Sequence, residues 1–198
     1  MPYQSWLRPL IWTDYRLAII FTVALPLILL VWAFVQKAEA IQRLLIIYWR
    51  VSSLLAITVY LMIGGLNISF ITAFMARCLI PASLWFWLDL NEEIDDQAQS
   101  ALKLIFSAWR WAVTVYSSLG ALLQIPFLGC AFSKSAFATA NCQTWIEPPL
   151  VYKDYFHAGF TNGFLGFWGI VGLIIYVIYL SYFVLVRLGR QGRSATDH

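Results

Sequence analysis

The sequence predicts an all-α membrane protein, a single domain built as a bundle of about five transmembrane helices. Hydrophobic residues make up 61% of the 198 residues and charged residues only 12%, whereas soluble chains carry about a quarter charged residues. The mean hydropathy is +0.73. Several apolar runs approach the roughly 20 residues that a helix needs to cross a bilayer. We therefore expect a lipid bilayer around most of the chain.

The spans are expected to follow one another with short connections. Residues 1–16 mix aromatic and basic side chains, so they should lie in the membrane interface. The first span, residues 17–35, contains no charged residue, and Pro26 should kink it. Residues 44–49 form either a surface helix or the start of the second span. The remaining spans are expected near residues 51–66, 68–88, 104–128 and 163–186, followed by a cytoplasmic tail at residues 187–198.

The distribution of basic residues predicts the orientation. One side of the predicted bundle receives eight of them, namely Lys37, Arg43, Arg50, Lys103, Arg110, Arg187, Arg190 and Arg193. The other side receives Arg8, Arg16, Lys134 and Lys153. Basic residues collect on the cytoplasmic side of membrane proteins. The N-terminus is therefore expected outside or in a lumen and the C-terminus in the cytoplasm. The scattered basic residues form no patch for a nucleic-acid partner.

Arg77 is the most informative single residue, because it lies inside the third predicted span. A charge at the bilayer centre costs at least about 2.5–3.5 kcal/mol, and no predicted span holds an acidic residue at a comparable depth. Arg77 should therefore snorkel, bond to hydroxyl and carbonyl groups, or face a ligand or a partner subunit. The fourth span adds a stripe of polar or small residues that should face other helices, namely Thr114, Ser117, Ala121 and Gln124.

A group of carboxylates follows the third span, and half of the acidic residues of the chain belong to it: Asp89, Glu92, Glu93, Asp95 and Asp96. They could pair with basic residues predicted on the same side, namely Arg43, Arg50, Lys103 and Arg110. They could also form a docking surface or hold Mg²⁺ or Ca²⁺. Pairing is favoured because it needs no additional molecule, and no metal site is predicted.

Two further features could carry chemistry in the predicted outer part of the chain. Cys130 and Cys142 lie on the side expected to be oxidising, where they either form a disulfide or stay free. His157 is either a pigment ligand or a polar residue at the level of the headgroups. Glycines at positions 163, 166, 169 and 172 of the fifth span predict close helix packing. The alternative is a groove for a flat molecule, so contact with chlorophyll, carotenoid or quinone stays open, although no cofactor is predicted.

Several stretches of the sequence resemble a family of uncharacterised cyanobacterial polytopic membrane proteins of about the same length. The stretches are TDYRLAIIFTVALPLILLVWAF, LLIIYWRVSSLLAITVYLMIG, LWFWLDLNEEIDD, WIEPPLVYK and GFLGFWGIVGLIIYVIYL. The resemblance covers residues 11 to 193. It implies a thylakoid or plasma membrane location, and it assigns no activity and no catalytic residue.

The sequence contains no HExxH, GxSxG or Walker lysine motif. We therefore expect a non-enzymatic accessory subunit or assembly factor of a larger membrane complex, such as a photosynthetic or respiratory complex, with other membrane-protein subunits as partners. The alternative is a small transporter or channel that uses Arg77 and the polar face of the fourth span. A membrane enzyme that uses the carboxylates ranks last.

Overall fold

The computed structural model describes residues 4–188, and this part of the chain is helical without strands. Arg190, Arg193 and most of the predicted tail lie outside the described residues. The α-helices are α1 (Gln4–Ala18), α2 (Leu25–Gln36), α3 (Glu39–Ile63), α4 (Ser69–Trp85), α5 (Leu88–Asp96), α6 (Ala101–Gln124), α7 (Gly129–Phe132), α8 (Lys134–Phe137), α9 (Ala140–Thr144), α10 (Glu147–Phe156) and α11 (Asn162–Tyr182). Two π-helical segments, Ile19–Ala24 and Phe183–Leu188, and a 3₁₀ turn, Ile125–Phe127, complete them. The predicted all-α fold class is confirmed.

Three helical stretches of the described chain are long and apolar enough to cross a membrane: Trp6–Gln36, Glu39–Ile63 and Asn162–Val186. A fourth span results if α4 and α5, which meet at a bend of 55°, are taken as one broken helix. The predicted third span therefore ends in a bend. Helix α6 is less apolar, because it carries Lys103, Arg110 and a row of polar side chains. The structure thus supports three or four spans by length and composition.

The first long helix begins well before the predicted first span, because α1, the π-helical segment and α2 are continuous. Pro26 has no amide hydrogen to donate to the preceding turn. The carbonyls of that turn accept hydrogen bonds from side chains of other helices. Tyr48 Oη donates to the carbonyl of Thr22 over 2.7 Å, and Trp109 Nε1 donates to that of Phe21 over 2.8 Å. Residues 1–16 were predicted as a separate interfacial segment, but their described part is the start of this helix.

Helix α3 occupies the middle of the bundle and packs on α2, α4 and α11. It begins at Glu39, so residues 44–49 are the start of this helix, and Leu44, Leu45 and Tyr48 are fully buried. Lys37 ends α2 with a φ of 54°, which is the left-handed conformation that often terminates helices. The reversal between α2 and α3 therefore takes only two residues.

Glycines bring α3 and α11 into backbone contact. A Cβ atom added at Gly166 would lie 2.7 Å from the Cα of Gly64, and one at Gly169 would lie 2.9 Å from the backbone nitrogen of Leu61. Gly172 faces the side chain of Ile57, whose Cγ1 would lie 3.2 Å from an added Cβ atom. The glycine-bearing face of α11 is therefore filled by α3. Gly163 has open space around it.

Four short helices, α7 to α10, form what we call the cap, residues 125–156. A disulfide joins Cys130 of α7 to Cys142 of α9, with 6.0 Å between the Cα atoms. The cap packs on the start of the bundle through a buried apolar cluster that includes Leu7, Ile11, Phe70 and Trp145. Arg8 also pairs with Glu147 over 2.8 Å. The cap therefore lies at the same end of the bundle as the start of α1.

Candidate functional site

Arg77 lies near the middle of α4 and forms a salt bridge with Asp14 of α1 through Nη2. Tyr116 of α6 donates from its hydroxyl to Oδ1 of Asp14 and to the backbone carbonyl of Asp14, both over 2.9 Å. The expectation that Arg77 has no acidic partner is therefore wrong. Asp14 was placed in an interfacial segment, but α1 continues into the first span and carries Asp14 to the level of Arg77. We call these residues the Asp14–Arg77–Tyr116 cluster.

The absence of a side chain at Gly120 makes room for the Arg77 guanidinium group. A Cβ atom at position 120 would lie 1.6 Å from Nη1 of Arg77 and 2.7 Å from its Cζ. Nη1 is buried and makes no hydrogen bond within the described chain. The Tyr116 ring lies beside the guanidinium group, 5.7 Å from Cζ to the ring centroid. The position of Arg77 therefore depends on α6 as well as α1.

The pair is nearly enclosed, with 11% of the Arg77 side chain and 22% of the Asp14 side chain exposed. The two opposite charges cancel, so the bundle avoids the cost of an isolated charge at this depth. Removal of one partner from a buried pair costs about 3–5 kcal/mol, because the other charge loses its compensation. The cluster is consequently a hydrogen-bonded polar group inside the bundle whose net charge is zero.

A cavity of about 730 Å³ extends from this cluster between α1, α6 and the cap. Asp14, Arg77 and Tyr116 provide a polar end, while residues such as Trp6, Leu123 and Trp145 make most of the wall apolar. Several leucines that line it are also exposed at the side of the bundle: Leu10, Leu119, Leu122 and Leu123. The cavity therefore opens between α1 and α6 on an apolar flank. We call it the α1–α6 cavity.

The disulfide forms part of this cavity, because Cys130 and Cys142 both line it. Cys130 and Cys142 are 4% exposed and belong to the apolar cluster between α1 and the cap. Of the two alternatives for Cys130 and Cys142, a disulfide or free thiols, the structure has the disulfide. The bond fixes the short helices that close the cavity on the cap side.

The carboxylates of α5 lie outside this site. Leu90 and Ile94 bury one face of α5, and the opposite face exposes Glu92, Glu93, Asp95 and Asp96. In the described chain no group of three or more metal-binding side chains comes together, here or elsewhere. Asp89 is partly buried. The α5 carboxylates are therefore brought together as an acidic surface, not with Arg77.

The basic residues expected to pair with these carboxylates have other partners. Lys103 donates from Nζ to the backbone carbonyls of Asp95 and Gln97, both over 2.7 Å, at the C-terminal end of α5. Arg43 pairs with Glu39 and Arg50 contacts the Tyr179 hydroxyl. These contacts differ from the predicted pairing with the α5 carboxylates. A cation at a helix C-terminus stabilises the carbonyls that have no amide partner.

Arg110, a further candidate residue, contacts side chains of two other helices. Its Nη1 donates to Asn91 Oδ1, and its guanidinium group lies 4.1 Å above the centroid of the Trp85 ring. Trp85 donates from Nε1 to Thr114 Oγ1 over 2.9 Å. These contacts join α6 to both α4 and α5. Arg110 therefore fixes the bend between α4 and α5.

His157 lies after α10, where its Nε2 is 3.1 Å from the Tyr60 hydroxyl. The rings of Tyr152 and Phe160 also surround it. Its Nδ1 is buried without a hydrogen-bond partner in the described chain. The nitrogen that a pigment metal would need is thus either bonded to Tyr60 or enclosed, so a role as pigment ligand stays a prediction that this geometry does not favour.

The apolar helices and the buried ion pair define a helical protein compatible with a membrane environment. The chain belongs to the family described as protein of unknown function DUF3177, whose model matches residues 8–196. The family description assigns no activity. Searches of curated proteins and of solved structures give no significant match. The predicted family of uncharacterised proteins of about this length is therefore supported.

Proposed function

We propose that this protein is a membrane-embedded binding protein for a single-chain, lipid-like molecule. The molecule lies in the α1–α6 cavity with its polar end at the Asp14–Arg77–Tyr116 cluster. One observation carries the proposal: a largely apolar cavity of about 730 Å³ has its only charged lining residues of the described chain, Asp14 and Arg77, at one end, and exposed leucines border it. An amphiphile from the bilayer could enter sideways without its chain leaving an apolar environment.

The size and walls of the cavity support this proposal. Small-molecule sites typically measure about 300–1,000 Å³ and combine apolar walls with a few fixed polar groups that set orientation. Here the fixed groups come from α1, α4 and α6, and the hydrogen bonds within the cluster hold them in place. A ligand would therefore meet a preformed site.

Two phenylalanine substitutions at glycines test the proposal. Gly129 lines the cavity and has open space around it, so Gly129→Phe should fill part of the cavity without a backbone clash. Gly163→Phe is the matched control, because Gly163 also has open space but lies at the start of α11, away from the cavity. Native mass spectrometry of the full chain in detergent, with oleyl alcohol or oleyl sulfate added separately, gives the readout.

We expect one bound molecule of at least one of the two probes per wild-type chain. Occupancy should fall at least about tenfold, or about 1.4 kcal/mol, in Gly129→Phe and stay unchanged in Gly163→Phe. Equal losses in both variants, or binding of neither probe to the wild type, would overturn the proposal. Circular dichroism of each variant establishes that the helices are retained.

A role as accessory subunit of a larger complex is a second candidate, and the exposure of α11 favours it. This helix packs chiefly on α3. In the most apolar 18-residue stretch of Asn162–Val186, only 11% is buried. The outward face carries large aromatic side chains, among them Phe167, Trp168 and Tyr182. Lipid or another subunit would cover this face. Native gels of solubilised membranes separate the two, because a subunit migrates above its own mass and a free monomer does not.

The transporter hypothesis requires that both Arg77 and the polar face of α6 line a path, and the structure supports only the first. Arg77 does line a cavity, but the polar face of α6 does not continue it. Ser117 and Gln124 are buried among helices, and Gln124 donates to the backbone carbonyl of Phe70. We therefore favour binding over a polar path across the bundle.

The orientation expected from the basic residues places the cap, the cavity and the disulfide on the outer or lumenal side. Formation of the disulfide agrees with an oxidising compartment there. The specific membrane, thylakoid or plasma, stays a prediction from the resemblance. We propose the same outer location for the binding site.

A further inference from the structure

We infer that the α1–α6 cavity selects an amphiphile whose head group is uncharged and donates a hydrogen bond, as an alcohol does, and that Asp14 excludes anionic lipids. This inference rests on the proposed function, because it names the chemical class of the molecule that the cavity binds. It follows from the charges and the hydrogen-bonding capacity at the polar end of the cavity.

The charges at the polar end sum to zero. Asp14 and Arg77 are the only charged side chains among the described residues that line the cavity, and they pair directly. The rest of the wall is mostly apolar, so a charged head group would have no counter-charge left for it. A buried charge without a partner is disfavoured in an apolar medium. An uncharged head group avoids this cost.

The hydrogen-bonding groups at this end offer mainly acceptors. The Asp14 carboxylate can accept about four hydrogen bonds, and within the described chain its two oxygens take one from Arg77 and one from Tyr116. Tyr116 spends its hydroxyl hydrogen on Asp14, which leaves its oxygen as an acceptor. The free nitrogen Nη1 of Arg77 is packed against Gly120 and buried. Trp145 Nε1 is a buried donor without a partner in the described chain, but it lines the cavity from the cap. At the Asp14–Arg77–Tyr116 cluster itself, a ligand would therefore meet mainly acceptors.

A hydroxyl head group complements such a surface, because it can donate to Asp14 or Tyr116. A sulfate, phosphate or carboxylate head group carries acceptors only and would face the acceptors of Asp14 and Tyr116. Asp14 is therefore the residue expected to set specificity. Without its charge, Arg77 would be an uncompensated cation at the same place, and the preference of the cavity should reverse.

The test compares oleyl alcohol with oleyl sulfate, which share one chain and differ in head-group charge. Competition is measured by native mass spectrometry on the full chain. The wild type should prefer the alcohol by at least about tenfold, or about 1.4 kcal/mol, and Asp14→Asn should prefer the sulfate. Asp96→Asn is the matched control, because Asp96 is exposed on α5 and lies outside the cavity. It should keep the wild-type preference.

The preference of the wild type for alcohol over sulfate needs no variant, so the test does not depend on the folding of Asp14→Asn. A second variant changes the same pair in the opposite sense, and circular dichroism establishes that each variant keeps its helices. Arg77→Gln leaves Asp14 as the uncompensated charge, so this variant should gain affinity for oleylamine over oleyl alcohol. Equal binding of alcohol and sulfate to the wild type, or a preference that neither variant changes, would overturn the inference. The proposed function would survive that result if Gly129→Phe still abolished binding. Absence of binding of either probe to the wild type would overturn both.

Discussion

Pro26 has no amide hydrogen to donate to the preceding turn of the first long helix, and Tyr48 and Trp109 donate to two carbonyls of that turn. Tyr48 is fully buried, and its ring also packs edge-on against that of Trp109 at 5.1 Å between centroids. In an apolar interior such a carbonyl has no water to bond with. The π-helical segment before Pro26 is therefore held by side chains from α3 and α6.

Removal of the Tyr48 hydroxyl should destabilise the protein. We expect Tyr48→Phe to lower the free energy of unfolding by about 1–3 kcal/mol, because the carbonyl of Thr22 loses its donor. Pro26→Ala restores an amide hydrogen, so the cost of Tyr48→Phe should be smaller in that background. Unfolding in detergent measures both effects. Tyr155→Phe, at an exposed position, should have no effect, and equal stability of Tyr48→Phe and wild type would contradict the account.

The sequence singled out Arg77 correctly as a residue that needs a partner, but it did not identify Asp14. The distance along the chain is 63 residues, and no pattern within either helix encodes which faces of α1 and α4 meet. One signal was present: residues 6–36 can be read as one continuous helix. In that reading Asp14 belongs to the same helix as the predicted first span. The contribution of Gly120 depends on tertiary packing alone.

Among the helices, the contact between α3 and α11 depends on glycines. At Gly64 and Gly166 the two backbones meet with no side chain between them. Such small-residue contacts drive helix association in membranes through close packing. Helix α11 packs chiefly on α3, so this contact fixes its position in the bundle.

A larger side chain at Gly166 should separate α11 from α3. We expect Gly166→Leu to destabilise the fold by about 1–3 kcal/mol, the usual range for overpacking, since its Cβ would already overlap Gly64. Gly163→Leu in the same helix has open space and should be tolerated. Thermal unfolding in detergent compares the two variants. Similar unfolding temperatures for both would show that the glycine contact does not hold the helices together.

The elements themselves were predicted better than their ends. The apolar runs indicated the helices that became the first span, α3, α4, α6 and α11. The start of α3 was left between two alternatives because Glu39, Arg43 and Arg50 interrupt the apolar pattern. The structure takes the helical continuation, and Leu44, Leu45 and Tyr48 bury the opposite face. The contacts of Lys103 differ from the predicted pairing for a different reason. Backbone carbonyls at a helix end are partners that the sequence does not display.

For the whole molecule, the structure separates two chemically different ends. The cap end contains the disulfide and the cavity, and the other end exposes the carboxylates of α5. Helices α3, α4 and α6 connect these ends, so in a bundle that crosses a membrane the two ends would meet different compartments. The orientation predicted from basic residues places the cap outside.

Cysteine labelling in intact cells tests this orientation. In a Cys78→Ala background, Ser135→Cys of the cap should react with a membrane-impermeant maleimide, because it faces the outside. Ala98→Cys, after α5, should react only once the membrane is permeabilised. Both positions are exposed, and the disulfide removes the two other cysteines from reaction. The opposite labelling pattern would place the cavity on the cytoplasmic side.

The central claim is that the α1–α6 cavity holds a lipid-like molecule, and photolabelling within the membrane tests it most directly. A long-chain alcohol that carries a diazirine is activated in membranes that contain the full-length protein, and the modified residues are mapped by mass spectrometry. The account predicts labelling of cavity residues such as Leu10 and Leu123 that saturates and is displaced by excess oleyl alcohol. Labelling confined to the outward faces of α2 and α11, without saturation, would contradict it.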